Sequence, residues 1–430
     1  MSTILTLSII ILFIALMIRV PVFIAILAGT ALYFLAAGHA NPLLLVQRFV
    51  SGLESVPLLA VPFFVCAGVF MNHSGITRRI MTFCAALTAA IWGGLAQVNI
   101  LLSTLMGGMS GSSLADAAMT AKMLVPEMER RGMSKPFSTV ITAFSSTITP
   151  LIPPGIGMII YGATANVSIG QLFMGGISVG LLTCVTMMVM TSWVARRRNY
   201  APLKAADDYV AVPIGKAFLS AAFPLCLPLI VLGGIRLGVF TPTEAGAVAV
   251  VYALGLGIAY QELSPSKLSL CLKETVLTTA VIMLIVGAAS ALAWVLTRER
   301  IPQGLTAWMV DAVASKYLFL IIVNIFLLVV GMFIEGNAAM IVLVPLLVPI
   351  ARAFGIDDIH FAFIFIFNLA IGAITPPLGT LMFVTCGITG CRIRAFLTES
   401  IPYFAQMLLC LLLVTFVPQI STWLVDLLYR

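Results

Sequence analysis

Gly107-Gly108-Met109-Ser110-Gly111-Ser112-Ser113 interrupts one apolar run of this chain, and Gly331-Met332-Phe333-Ile334-Glu335-Gly336-Asn337 interrupts another. The interval from Gly108 to Gly331 also separates Pro126 from Pro349, Gly132 from Gly355, and Pro153-Pro154 from Pro376-Pro377. The residues most hostile to helix therefore recur in register at one repeat interval, which marks an internal duplication. In a membrane protein, apolar segments broken by Gly or Pro at matching positions of two halves point to a transporter's binding site.

Composition places the chain in a membrane. Of its 430 residues 61% are hydrophobic and 9% charged, with a mean hydropathy of +1.14. A water-soluble repeat protein cannot be clothed with so few charges. The apolar runs are continuous rather than alternating, so they form helices and not a barrel. No basic segment precedes Ile4 to Ile18, which reads as a first span and not as a cleaved signal. The net charge of +7 is the orientation signal of basic residues at helix ends, not a nucleic-acid surface. Cys66, Cys84, Cys184, Cys226, Cys271, Cys386, Cys391 and Cys410 lie scattered in apolar segments without a CxxC pair, as packing residues do. His39, His73 and His360 are not at ligand spacing, and no phosphate-binding P-loop motif occurs. No cofactor is expected, and the energy must come from outside the chain.

Two halves of matching organisation are expected. The first repeat, residues 1–198, holds scaffold helices within 1–72 (spans near 3–18, 22–37 and 56–72, and a short amphipathic stretch near 43–53). An interfacial helix near 76–92, a hairpin over 94–130, a Pro-broken helix over 136–166 and a span near 169–195 follow. A polar linker, 199–213, carries Lys204, Asp207 and Asp208. The second repeat, 214–430, holds scaffold helices over 214–296, a hairpin over 317–354 and a broken helix over 361–389, with Glu54 matched to Glu274 at the start of a span. Hairpin arms of about 15 residues reach roughly 22 Å, short of a core of about 30 Å, so each hairpin is expected to turn back inside the membrane.

Five spans per half then remain, about ten in all, and an odd number inverts the second half. Positive charge agrees. If Arg196-Arg197-Arg198 is cytoplasmic, then Arg19, Arg78, Arg79, Arg130, Arg131, Lys135, Lys204, Lys216, Lys267, Lys273, Arg392 and Arg394 join it, whereas Arg48, Arg236, Arg298, Arg300, Lys316 and Arg430 fall outside. Both termini are then external.

Broken helices expose unpaired N–H and C=O groups at membrane depth, which is tolerated only inside protein or at a cavity. Carbonyls and hydroxyls there can hold a hard cation, and half-helix N-termini favour an anion. The expected sodium site of the first repeat is Ser110, Gly111, Ser112 and Ser113 of the tip, facing Thr149, Pro150, Pro153 and Gly155 of the break. That of the second is Gly336 and Asn337, facing Thr375, Pro376 and Gly379. Ser112, Asp116, Asn337 and Thr375 are the candidates for contact with substrate. Asp116, Lys122 and Glu335 carry charge inside hairpin segments, where about 2.5 to 3.5 kcal/mol opposes it, so they are functional candidates. Lys122 reads better as a side chain snorkelling to the surface.

These motifs resemble the large membrane subunit, DctM type, of tripartite ATP-independent periplasmic transporters. Gly108 to Asp116, Ile152-Pro153-Pro154, Tyr161-Gly162 and Ser168 to Phe173 resemble its first signature. Gly331 to Ala338, Pro345 to Pro349, Gly355-Ile356-Asp357, Phe367 to Ala370 and Ile374 to Gly379 resemble its second. The resemblance spans the chain and implies an all-α, multi-pass protein of the bacterial inner membrane with two inverted repeats and an elevator-type mechanism. It also implies sodium coupling, an organic acid substrate such as a C4-dicarboxylate or sialic acid, a small four-helix DctQ-type membrane subunit and a DctP-type periplasmic binding protein. The chain begins at its first repeat, so the small subunit is expected as a separate polypeptide. Gly155 stands where the family often has Ser, and Glu335 where it often has Asp.

Three other readings compete. A stand-alone sodium/dicarboxylate symporter of related architecture would need no binding protein. A channel would need a continuous lined pathway, whereas duplicated halves supply two gates around one site. An enzyme would need a catalytic constellation that the spans do not show.

Overall fold

The computed structural model describes residues 3–18, 20–36, 41–205, 210–313 and 315–429; Arg19, His39, Asp207, Asp208 and Arg430, named above, lie outside them. Among the described residues every regular element is helical. The first half contains α1 (Thr3–Met17), α2 (Val22–Ala36), α3 (Leu43–Leu53), α4 (Ala60–His73, entered through a 3-10 turn), α5 (Ile76–Thr88), α6 (Leu95–Ser110), α7 (Ser113–Arg130), α8 (Lys135–Ser145), α9 (Ile156–Ala165) and α10 (Ile169–Arg197). The second contains α11 (Ile214–Arg236), α12 (Pro242–Ala259), α13 (Pro265–Arg298), α14 (Ile301–Ala312), α15 (Lys316–Phe333), α16 (Gly336–Ala353), α17 (Asp358–Gly372), α18 (Thr380–Thr389), α19 (Ile393–Phe416) and α20 (Gln419–Tyr429).

The recurrence in sequence is also a recurrence of helix ends. Both α7 and α16 run 18 residues, and their starts are separated by the repeat interval, as are those of α8 and α17. Ser112 caps α7 and Glu335 caps α16; Ser134 caps α8 and Asp357 caps α17. At each of these four starts a side-chain oxygen takes a backbone N–H that the first helical turn leaves without a partner.

One expected match fails. Glu274 does not open a span but lies inside α13, an unbroken helix of 34 residues. Ser55 is extended, and Pro57, which has no N–H to give an upstream carbonyl, sits in the first turn of the 3-10 segment Val56–Leu59, so α3 and α4 separate. When Glu54 is aligned with Glu274, Leu277 holds the position equivalent to Pro57, and the second half continues through.

Among the described residues eight helices are long and apolar enough to cross a membrane, and the pair Lys135–Leu151 and Ile156–Ala165, bent by 41°, makes a ninth. This differs from the expected ten. At 15 residues α1 and α2 reach about 22 Å, whereas α15 and α16 at 18 residues reach about 27 Å and qualify.

The centre of the molecule is built from the N-terminal pieces of the two broken helices. Every residue of α8 from Phe137 to Ser145 is buried, and every residue of α17 from Ile359 to Gly372. Around them pack α6, α10, α15 and α19, while α11 to α13 pack against α2 to α5 at one side. The halves are interlocked: α7 packs on α18 and α16 on α9, so the second arm of each hairpin rests on the broken helix of the other half. Exposed apolar side chains such as Phe13, Leu219, Val281, Ile325 and Leu409 form the outer surface, as lipid requires.

Candidate functional site: two hairpin tips against two helix breaks

The first tip turns at Gly111, which is left-handed (φ +58) and whose N–H returns to Gly107 O. Three glycines of this tip touch the break directly. A Cβ on Gly107 would lie 3.0 Å from Thr149 Cα, one on Gly108 would lie 2.9 Å from Pro153 O, and one on Gly111 would lie 3.2 Å from both Pro154 O and Ile156 N. Backbone meets backbone here, which only glycine permits. The break itself is a 3-10 turn, Thr149–Leu151, followed by extended backbone to Gly155, against which a Cβ would meet Pro150 O at 3.0 Å. Pro153-Pro154 and Pro376-Pro377 are both cis peptides.

Ser110, Gly111, Thr149, Pro153 and Gly155 are buried together, whereas Ser112, Ser113 and Pro150 are half-buried. Ser112 Oγ is engaged as the cap, accepting Ala115 N–H at 3.4 Å, while Ser110 Oγ is buried without a partner. Asp116 lies one turn below the tip at 1% exposure. Its Oδ2 accepts the Thr149 hydroxyl at 3.3 Å, Oδ1 has no partner, and the hydroxyls of Ser103 and Ser146 face the same carboxylate. The carboxylate thus fastens tip to break from beneath and is sealed from solvent in this conformation. Its counterpart at the repeat interval is Ala339, so the two repeats differ in charge at this depth.

The second tip is built differently. Glu335 caps α16, its Oε2 accepting Ala338 N–H at 3.1 Å and its Oε1 the Asn337 amide at 2.9 Å. A carboxylate at a helix N-terminus is stabilised by the helix dipole. Gly331 and Gly372 meet face to face: a Cβ on Gly372 would lie 2.5 Å from Gly331 Cα. Gly336 approaches Leu369 rather than the proline pair, and the Asn337 side-chain oxygen points across the halves, 3.8 Å from a Cβ position on Gly157. Thr375 donates its hydroxyl to Ile371 O at 2.7 Å, and Gly379 N–H closes the break on Thr375 O at 3.0 Å. Thr375 and Pro376 are half-buried and Gly379 is buried. The expected facing of tip on break is thus made in the first half through Gly107, Gly108 and Gly111. In the second it is made through Gly331 and Gly372, and Asn337 joins the two halves instead. Lys122, mid-way along α7, is exposed.

Sequence reasoning missed two polar networks set roughly two to three helical turns back from the tips along α6 and α15. In the first half Asn99 Nδ2 donates to Thr142 Oγ1 (2.7 Å) and Ser103 to Ser145 (3.1 Å). In the second, Asn368 Nδ2 donates to Asn324 Oδ1 (2.6 Å) and to Ile364 O (2.7 Å), and Asn324 Nδ2 donates to Thr415 Oγ1 (3.2 Å). Ser145 and Asn368 are separated by the repeat interval, the signal that could have found them.

Among the described residues no three His, Cys, Asp or Glu side chains cluster as transition-metal ligands. The oxygens gathered at the tips are hydroxyls, amides, carbonyls and isolated carboxylates. That donor set suits a hard cation, which takes oxygen ligands.

Comparison with known proteins agrees with this architecture. Residues 9–420 match the family described as tripartite ATP-independent periplasmic transporter, DctM component. The chain is 40% identical over 383 residues to the sialic acid TRAP transporter large permease protein SiaM of Vibrio cholerae, with 89% of each chain covered. It is 37% identical to the C4-dicarboxylate TRAP transporter large permease protein DctM of Pseudomonas aeruginosa, with 86% of each covered. In three dimensions it resembles the crystal structure of the YdaH transporter of Alcanivorax borkumensis, at a TM-score of 0.66 and 13% identity over 98% of both chains, a likeness of fold alone. The chain belongs to the DctM family, the large membrane permease component of tripartite ATP-independent periplasmic transporters.

Proposed function

We propose that this permease carries an organic carboxylate inward across the bacterial inner membrane, driven by sodium and supplied by a periplasmic binding protein, together with a small membrane subunit. The observation that carries the reading is the pair of glycine-lined backbone contacts, Gly108 and Gly111 on Pro153 and Pro154, and Gly331 on Gly372, recurring in the two halves. Each contact gathers neutral oxygens at a helix break, the setting in which transporters bind cations and substrate. The first sodium site is assigned to Ser110, Gly111, Ser112, Ser113, Thr149, Pro150, Pro153 and Gly155; the second is assigned to Gly336, Asn337, Thr375, Pro376 and Gly379, of which Asn337 turns toward Gly157 of the other half in this conformation. Asp116, sealed beneath the first tip, is assigned to holding tip and break together when the cation is bound. Ser112, Asn337 and Thr375, half-exposed, remain the groups offered to substrate.

The two halves are taken as inverted repeats (1–198 and 214–430), with hairpins and broken helices moving together past the scaffold as an elevator. The charge asymmetry supports this orientation. The substrate class follows the relatives, whose named cargoes are sialic acid and C4-dicarboxylates. Uptake of a panel of labelled carboxylates into proteoliposomes, with and without a matched binding protein, tests the reading. Uptake that is as fast without any binding protein would assign the chain to stand-alone symport.

A further inference from the structure

The two contacts that interlock the halves, α7 on α18 and α16 on α9, correspond at the repeat interval but are not equally covered. Helices from outside the hairpins and breaks close over the second pair: α13 and α14 pack on α16, and α4 packs on α9. Among the described residues α7 rests on α6, α8 and α18, and α18 on α7, α8 and α19, with no comparable cover from α2 to α4 or from α11 to α14. Single positions agree. Ala115, Lys122, Thr380 and Phe383 are exposed, whereas their counterparts Ala338, Pro345, Gly157 and Ile160 are buried or half-buried.

The uncovered surface runs along both helices away from the candidate site. The intervals from Ala115 to Lys122 and from Thr380 to Phe383 keep each pair on one face of its helix. Half-buried Ser112 and Thr375 stand at the inner end. Arg130, Arg131, Arg392 and Arg394 stand at the outer end, which is cytoplasmic in the orientation proposed above. Water rather than lipid suits such a face. Lys122 lies about 12 Å along α7 from Arg130, farther than a lysine stem reaches, and an ammonium held in lipid is costly. Among the described residues it has neither an ion pair nor a hydrogen bond. Between the tip and Glu127 the two helices expose no other charge, because Asp116 is buried and α18 carries none.

We propose that the groove along α7 and α18 is the cytoplasmic release path of the carboxylate, with Lys122 a transient subsite for the departing anion, resting on the transport function proposed above. A lysine ammonium is a point charge on a flexible stem, suited to holding an anion without the paired hydrogen bonds that would retain it. Pro345, at the matching position of the other half, carries no charge, so the subsite belongs to the inner side alone.

The test uses the full chain with its small membrane subunit in oriented vesicles, and a membrane-impermeant sulfonate methanethiosulfonate as the probe. The native cysteines are buried or half-buried, so the parent labelled in parallel supplies the background. Lys122→Cys should be modified from the cytoplasmic face, and an internal carboxylate that the parent transports should slow the modification. Lys122→Gln should lower the maximal rate of uptake about fivefold, the weight of one charge pair in water, with the half-saturating sodium concentration unchanged; Lys122→Arg should keep most of the rate. Aminoethyl methanethiosulfonate, which returns an ammonium to Lys122→Cys, should restore uptake, a rescue that a packing role would not give. Modification only by a membrane-permeant maleimide marks a lipid-facing lysine and overturns the proposal. Modification from the periplasmic face alone, labelling that internal carboxylate does not slow, or parental uptake by Lys122→Gln overturns it too, while a transporting parent leaves the transport function standing. A parent that carries no carboxylate defeats that function and the subsite together.

Discussion

Arg352 and Asp358 clasp each other through two hydrogen bonds, Nε to Oδ1 at 2.8 Å and Nη2 to Oδ2 at 3.0 Å, joining the end of α16 to the start of α17. Glu129 and Lys135, which precede them by the repeat interval, form an ion pair at 3.8 Å at the base of the first hairpin, with the charges exchanged. Arg352 also donates to Ala165 O at 3.0 Å, so it ties the second hairpin to the end of α9 in the other half.

The first prediction follows from that reversal. A double-mutant cycle on Arg352→Glu and Asp358→Arg should show the exchanged pair recovering part of the stability each single change loses. The pair is partly exposed, so the coupling should be about 1 kcal/mol or less. Recovery stays incomplete because glutamate cannot donate to Ala165 O. Strict additivity in thermal unfolding would show that the pair does not couple.

Two left-handed glycines separate crowding from backbone strain. Gly111 (φ +58) is pressed on Pro154 and Ile156, whereas nothing lies within 4 Å of a Cβ on Gly132 (φ +81). Alanine at either should cost about 1 kcal/mol for the backbone alone. Gly111→Ala should in addition push tip from break and stop uptake, while Gly132→Ala should transport near the parent rate. Equal uptake by the two variants would remove the close approach from the account.

Thr149→Val removes the hydroxyl that donates to Asp116 Oδ2, in a carboxylate sealed at 1% exposure. Leaving such an acceptor unsatisfied costs about 1 to 3 kcal/mol, more when it is charged. Uptake should fall and its half-saturating sodium concentration should rise, with Thr149→Ser restoring both. Unchanged sodium dependence in a well-expressed Thr149→Val protein would limit Asp116 to a packing role.

Asn368→Leu breaks the bonds to Asn324 Oδ1 and Ile364 O, the first of which joins α17 to α15. Interhelical hydrogen bonds in membranes average about 0.6 kcal/mol, so thermal stability should drop by about that much to twice as much. A variant with parental stability but altered sodium affinity would recast this network as a ligand set.

Much of the helical plan was legible in the sequence because its signals are local. Gly and Pro mark the turns between helices, although Pro126, Pro224, Pro228, Pro345, Pro349 and Pro402 stand inside them, and the stretches 43–53, 94–130 and 136–166 appear as α3, α6 with α7, and α8 with α9. Pro57 is the exception: its absence from the second half fuses two elements into α13, and the match of Glu54 to Glu274 conceals that. The crossing of the halves was not legible. Nothing in α16 says that it will rest on α9, because an apolar surface suits any apolar partner. Asn99, Ser103, Asn324 and Asn368 escaped for the same reason. A lone polar residue in a span needs a partner, but its own sequence does not name it. The first tip was legible since glycines declare close approach; the direction of Asn337 toward Gly157 depends on a contact between repeats.

The central claim is that the two breaks bind the ions that drive uptake. Proteoliposomes holding both membrane subunits, with a matched binding protein outside and potassium with valinomycin setting the voltage, test it most directly. A dicarboxylate needs two sodium ions for neutrality, and the membrane potential contributes roughly 2.3 kcal/mol per charge per 100 mV. With one sodium more than neutrality, uptake should require external sodium, need no ATP and accelerate when the interior is made negative. Uptake that continues unchanged without sodium, or only with ATP inside, would contradict it.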